Sequence, residues 1–282
     1  MACNCHAVSA SAALLILGAG ALIAQTHRRI DVAGHRLDYV QEGAGEPAVV
    51  FETGLADSLD TWLPLLRSVS EYTTAIAYSR AGFGRSESGA PDHSVAHAVA
   101  DLHALLHQLP ILPPFVLVAR SYGSLIARLY ISFYPTDVAG LVLVDGTHEQ
   151  QVQRFGAVDS TYPAAFRAYY DSVVAQLPAG PETAEIRETV RIQGAGAVEG
   201  LRPLPDIPIA VLTSMRSDTA SRYVNGTARG HEVWRALHDE WFRRSRNGIH
   251  IQTTRSGHGI QDDEPALVLQ AIHFVLDRVR AQ

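Results

Sequence analysis

The chain has 282 residues, 47% hydrophobic and 18% charged, with a formal net charge of −6. That length fits one large domain or one domain with an insert, and the negative balance leaves no basic surface for nucleic acid. All 23 positive side chains are arginine, which excludes Schiff-base lysine chemistry, and Cys3 and Cys5 are the two cysteines, so the body from Gln25 onward holds no disulfide, zinc-thiolate site or cysteine nucleophile.

Residues 7–24 are apolar or small apart from Ser9 and Ser11. Three readings stay open: a signal peptide with Ala19-Gly20-Ala21 as its small-residue cleavage site, a single membrane anchor, or a mis-assigned start. No Arg precedes the run, and Arg28-Arg29 follow it, so it is not a twin-arginine signal. Residues 1–26 are therefore expected to be a signal or an anchor, placing the protein at the membrane through residues 7–24 or exporting it, rather than leaving it in the cytoplasm.

Alternating residues around Ala33-Gly34 predict a hairpin over 29–32 and 36–41. Residues 48–52 form a short apolar strand and 53–58 a loop. A helix over 61–68 and a strand over 73–78 follow, then the Gly-rich stretch Ser79-Arg80-Ala81-Gly82-Phe83-Gly84-Arg85-Ser86. No Gly-Lys-Ser/Thr follows it, so it is not a phosphate loop. Val95, Val99, Leu102, Leu105, Leu106 and Leu109 recur at helical spacing. Next come a strand over 115–119, the turn Arg120-Ser121-Tyr122-Gly123, and a helix over 124–134 that Pro135 ends. Residues 138–144 make a further strand, closed by Asp145-Gly146. Alternating strands and helices predict an α/β fold, a mostly parallel sheet with helices on both faces, whose ligands bind at the carboxyl ends of the strands. Leu55, Ser121 and Asp145 all fall at such ends.

Residues 147–205 break this rhythm. They hold no clear strand, and they carry Phe155, Tyr162, Phe166, Tyr169 and Tyr170. The expectation is a helical cap inserted between two core segments, 27–146 and 206–282, its aromatics serving either as internal packing or as the lining of an apolar pocket. The core resumes with a strand over 208–213, a helix over 231–245, a strand over 248–253, the loop Ser256-Gly257-His258-Gly259 and a final helix over 264–280.

A strand, a sharp turn carrying Ser and a helix make a nucleophile elbow, here Ala119-Arg120-Ser121-Tyr122-Gly123 with Ala in the first Gly place. A serine hydroxyl needs a base to take its proton, and the base needs an orienting acid. His258 is the favoured base, because it follows the last strand between two glycines. His148, near a strand end, is the second choice. His231 and His238 lie on a helix and His250 in a strand. Two acids compete: Asp218, after the strand over 208–213, is favoured over Asp145. Asp262 and Asp263 follow His258 too closely and are expected to cap the last helix. The N–H groups of Tyr122 and Leu55 are the expected oxyanion donors.

With Ser121, the Gly54-Leu55 loop, Asp218 and His258 in this order, the chain from Arg29 onward resembles the α/β-hydrolase superfamily. Glu52-Thr53-Gly54, residues 80–86, 119–123 and 141–145, and Ser256-Gly257-His258 carry the resemblance to its esterase-like branch. Where that family often has His-Gly at the oxyanion loop, Glu52-Thr53-Gly54 stands here, and Ser79 stands where Asp is frequent. The resemblance implies a serine hydrolase acting on a small, apolar carboxylic ester or similar acyl bond, with no metal or organic cofactor. Serine at the elbow argues against haloalkane dehalogenase and epoxide hydrolase chemistry, which the family performs with Asp in that place. Two rivals remain: perhydrolase, haloperoxidase or C–C hydrolase chemistry on the same residues, and a non-catalytic binding protein on a hydrolase fold.

Overall fold

The computed structural model describes residues 25–89, 93–217 and 224–282. Eight strands form one sheet: β1 (Arg28–Val32), β2 (His35–Glu42), β3 (Val49–Glu52), β4 (Ala75–Tyr78), β5 (Phe115–Arg120), β6 (Val138–Val144), β7 (Ile209–Ser214) and β8 (Gly248–Thr253). Their lateral order is β1-β2-β4-β3-β5-β6-β7-β8. The β1–β2 hairpin and the β2–β4 pair are antiparallel, and every later pair is parallel. The continuous apolar runs of β3 to β7 suit strands covered on both faces.

Nine α-helices accompany the sheet among the described residues. They are α1 (Leu63–Ser70), α2 (Val95–Gln108), α3 (Gly123–Phe133), α4 (Gln151–Gly156), α5 (Tyr162–Val174), α6 (Pro181–Ala195), α7 (Ala228–Phe242), α8 (Ile260–Asp263) and α9 (Pro265–Arg280). Leu102, Leu105 and Leu106 of α2 and Leu125, Ile126 and Leu129 of α3 build one core against the sheet. Leu65, Leu66 and Val69 of α1 and Val268, Ile272 and Val275 of α9 build the other. The helix expected over 231–245 begins earlier, because the Thr227 side chain accepts from Gly230 N–H and caps it. Asp262 and Asp263 do not cap α9; they form the short helix α8 ahead of it.

The chain leaves β3 for β4 on one side and returns to β5 on the other, so the switch point of the sheet lies between β3 and β5. Ligand crevices form at such points. Ser121 follows β5 there, beside the loop that follows β3.

The expectation of membrane attachment is corrected. Among the described residues no helix is long and apolar enough to cross a membrane. Residues 7–24 lie outside the described residues.

Candidate active site

Ser121 sits between β5 and α3 with φ at +50°, a left-handed conformation that costs a non-glycine residue energy and persists only where its surroundings impose it. They do so here. The Ser121 N–H donates to Val144 O at 3.2 Å. Its carbonyl accepts from Ser124 N–H (3.0 Å), Thr147 N–H (3.0 Å) and the Ser124 hydroxyl (2.7 Å). Gly123 allows the turn to press against β3, since a Cβ there would lie 2.5 Å from Thr53 O.

His258, on the loop after β8, brings Nε2 to 2.8 Å from Ser121 Oγ and Nδ1 to 2.7 Å from Asp145 Oδ2. The other Asp145 oxygen accepts from Ser214 N–H and Trp234 Nε1–H, both at 2.9 Å. Burial pushes the Asp145 carboxyl up, but the hydrogen bond and charge of His258, with His238 and Trp234, outweigh it and hold the group below its ordinary value. Asp145 too is left-handed, at φ +45°. The buried His238 fixes the next residue, its Nε2 lying 2.9 Å from Gly146 O. Burial lowers that imidazole to about 4, with Asp145 and the Gly146 carbonyl opposing. Hydroxyl, imidazole and carboxylate in series form the arrangement in which the imidazole takes the hydroxyl proton and the carboxylate steadies the resulting cation.

The acid in contact with His258 is thus Asp145, the second choice from sequence. Asp218 lies outside the described residues. His148 does not join this series: it is buried, stacks on Trp241 at 5.1 Å, and accepts from Gln150 N–H through Nδ1.

The loop after β3 lies alongside Ser121, for a Cβ built on Gly54 would stand 3.6 Å from Ser121 Cβ. Leu55 follows Gly54 in this loop. A buried ion network that the sequence does not reveal holds the loop. The Arg80 Nη1 donates to Glu52 Oε1 (2.6 Å), Thr53 Oγ1 (2.7 Å) and Thr53 O (3.1 Å). Its Nη2 reaches Gly54 O (2.6 Å), and Nε and Nη2 fork onto the two Glu185 oxygens at 2.6 and 2.9 Å. Glu185, on α6, also accepts from Ala56 N–H at 2.9 Å. Tyr78 O–H donates to the second Glu52 oxygen. Burial pushes Glu52 up against the pull of Arg80 and Tyr78. For Arg80, burial works against the charge, but the two carboxylates prevail and keep the guanidinium charged. Glu52 at the end of an apolar strand was the available signal, because a buried carboxylate needs a partner.

The serine opens into a cleft of about 570 Å³. Phe155, Tyr162 and Tyr170 from α4 and α5, Trp234 from α7, and Arg216 and His231 line it with Ser121 and His258. Phe155 and Tyr162 also pack with Val152 and Val224, so these aromatics combine both expected roles, while Tyr169 is largely exposed.

A family model described as alpha/beta hydrolase fold matches residues 47–194, more than half of the chain. The chain belongs to the α/β-hydrolase family. YqjL of Bacillus subtilis (strain 168) is 25% identical to this hydrolase over 240 residues, 83% of this chain and 85% of that one. A thermophilic esterase from Thermogutta terrifontis superposes with a TM-score of 0.64 at 18% identity, covering 90% of this hydrolase and 99% of the esterase. A haloalkane dehalogenase loop variant from Bradyrhizobium elkanii superposes at 0.69 with 17% identity, covering 91% and 97% of the two chains. Two chemistries on one backbone mean that the reaction must be read from the site.

Proposed function

We propose that this α/β-hydrolase is a serine hydrolase that cleaves a carboxylic ester or related acyl bond through Ser121, His258 and Asp145. The observation that carries the reading is the unbroken series Ser121 Oγ, His258 Nε2, His258 Nδ1, Asp145 Oδ2, with contacts of 2.8 and 2.7 Å. His258 Nε2 takes the hydroxyl proton as Oγ bonds to the acyl carbon. The negative charge that develops on the acyl oxygen is met by the N–H groups of Leu55 and Tyr122. His258 then gives its proton to the leaving alkoxide, and the C–O bond to the alcohol breaks. Water repeats the sequence on the acyl-enzyme, releasing the acid and restoring the serine.

Residues 147–205 act as a cap over the carboxyl ends of the strands, with Phe155, Tyr162 and Tyr170 favouring an apolar acyl or alcohol group. Serine rather than aspartate at the elbow favours acyl transfer over the dehalogenase chemistry of the Bradyrhizobium neighbour. The test is pre-steady-state hydrolysis of a panel of p-nitrophenyl esters of graded chain length. A burst of p-nitrophenol equivalent to the enzyme, absent in Ser121→Ala, is the expected mark of an acyl-enzyme. Steady turnover that survives Ser121→Ala would refute it.

A further inference from the structure

His103 and His107 stand one turn apart on α2 and face Asp137, which ends the turn of residues 135–137 between α3 and β6. We propose that these three side chains bind a divalent transition cation of the zinc, copper and nickel class. Among the described residues they form the one trio of such donors whose ligand atoms all lie within 4.8 Å of one another.

The i, i+4 spacing sets both imidazoles on one helix face, the helical half of many zinc sites. His107 Nε2 lies 2.8 Å and His103 Nδ1 3.6 Å from the same Asp137 oxygen. Tetrahedral ligands at zinc–nitrogen distances of about 2.0–2.1 Å lie roughly 3.3–3.4 Å from one another. The two histidine–aspartate separations bracket that value, and no pair in the trio exceeds 4.8 Å, so modest side-chain adjustment brings the three donors onto one cation. Its supports are in place. The His103 ring lies flat on Tyr134, with centroids 3.7 Å apart and planes within 4°. The Tyr130 hydroxyl donates to Asp137 Oδ2 at 3.2 Å, an outer contact of the kind that orients a ligating carboxylate.

Two imidazoles and a carboxylate suit zinc, copper or nickel better than magnesium or calcium. Both histidines are partly exposed, which leaves a path for the cation and a fourth position for water. The site lies at the opposite end of α3 from Ser121, so the cation ties α2 to the α3–β6 turn and takes no part in acyl transfer.

The test is calorimetric titration of the metal-stripped full chain with zinc chloride, in a Cys3→Ser, Cys5→Ser background that removes the chain's thiols. One saturable site is expected, weakened by more than about tenfold in each of His103→Ala, His107→Ala and Asp137→Asn. A zinc-dependent rise in melting temperature is lost with it. His107 is 42% exposed, so His107→Ala is the variant that leaves the fold intact. Absence of saturable binding, binding unchanged in His107→Ala, or equal binding of magnesium would overturn the proposal.

Discussion

Glu185→Ala tests whether α6 holds the Gly54-Leu55 loop in the place the proposed mechanism needs. The substitution removes a side chain that is 97% buried and accepts three hydrogen bonds, two from Arg80 and one from Ala56 N–H. Breaking a buried ion pair by deleting one partner costs about 3–5 kcal/mol. The lower end is expected here, because Glu52 still neutralises Arg80. Against a total stability of roughly 5–15 kcal/mol, the variant stays folded at 25 °C. The functional effect is separate. Arg80 and Ala56 bracket the Gly54-Leu55 segment, so in the proposed mechanism its aim at the acyl oxygen loosens. Deleting a whole oxyanion donor costs about 10²–10³ in rate, and a misaimed one less, so a fall of roughly tenfold to a hundredfold is expected. The assay is the second-order rate of fluorophosphonate labelling at Ser121, beside urea unfolding of the same sample. Labelling at the parent rate in a destabilised Glu185→Ala would refute the argument and reduce the network to packing.

Gly123→Ala should cost about 1–3 kcal/mol in urea unfolding and slow ester hydrolysis, because the new Cβ meets Thr53 O at 2.5 Å. His148→Gln should flatten the acid dependence of stability. Burial lowers the folded imidazole to about 3, while the unfolded one titrates near its usual 6.5. Below that value the unfolded chain binds a proton that the fold refuses, so stability falls by up to ~1.4 kcal/mol per pH unit toward pH 3 and is fully kept above 6.5. Parallel unfolding profiles for parent and variant between pH 6 and 4 would contradict this. Asp145→Asn should lower kcat by up to about 10⁴, by fixing the wrong imidazole tautomer, whereas Asp218→Asn should leave it unchanged. The reverse ranking in steady-state kinetics would return the acid to Asp218.

The strands, the hairpin, the elbow and the His258 loop were legible because each is a local pattern: apolar runs bounded by turns, or a candidate residue between small ones. The acid was not. Asp145-Gly146 reads locally as a strand end, and only the lateral order β6-β7-β8 shows that the loop after β8 carries His258 back to it. The Arg80 network was illegible for the same reason, since Arg80 and Glu185 are 105 residues apart and α6 reads as an ordinary polar helix. The aromatics of residues 147–205 admitted two roles in sequence because a ring at a cleft wall serves both: Phe155 packs on Tyr162 at 5.0 Å and lines the cleft as well.

The central claim is that His258 activates Ser121. Fluorophosphonate labelling of the folded protein, with the modified peptide located by mass spectrometry, tests it most directly. The account predicts one label per chain, on Ser121, lost in His258→Ala and strongly slowed in Asp145→Asn. A label on another residue, or labelling of Ser121 at an unchanged rate in His258→Ala, would contradict it.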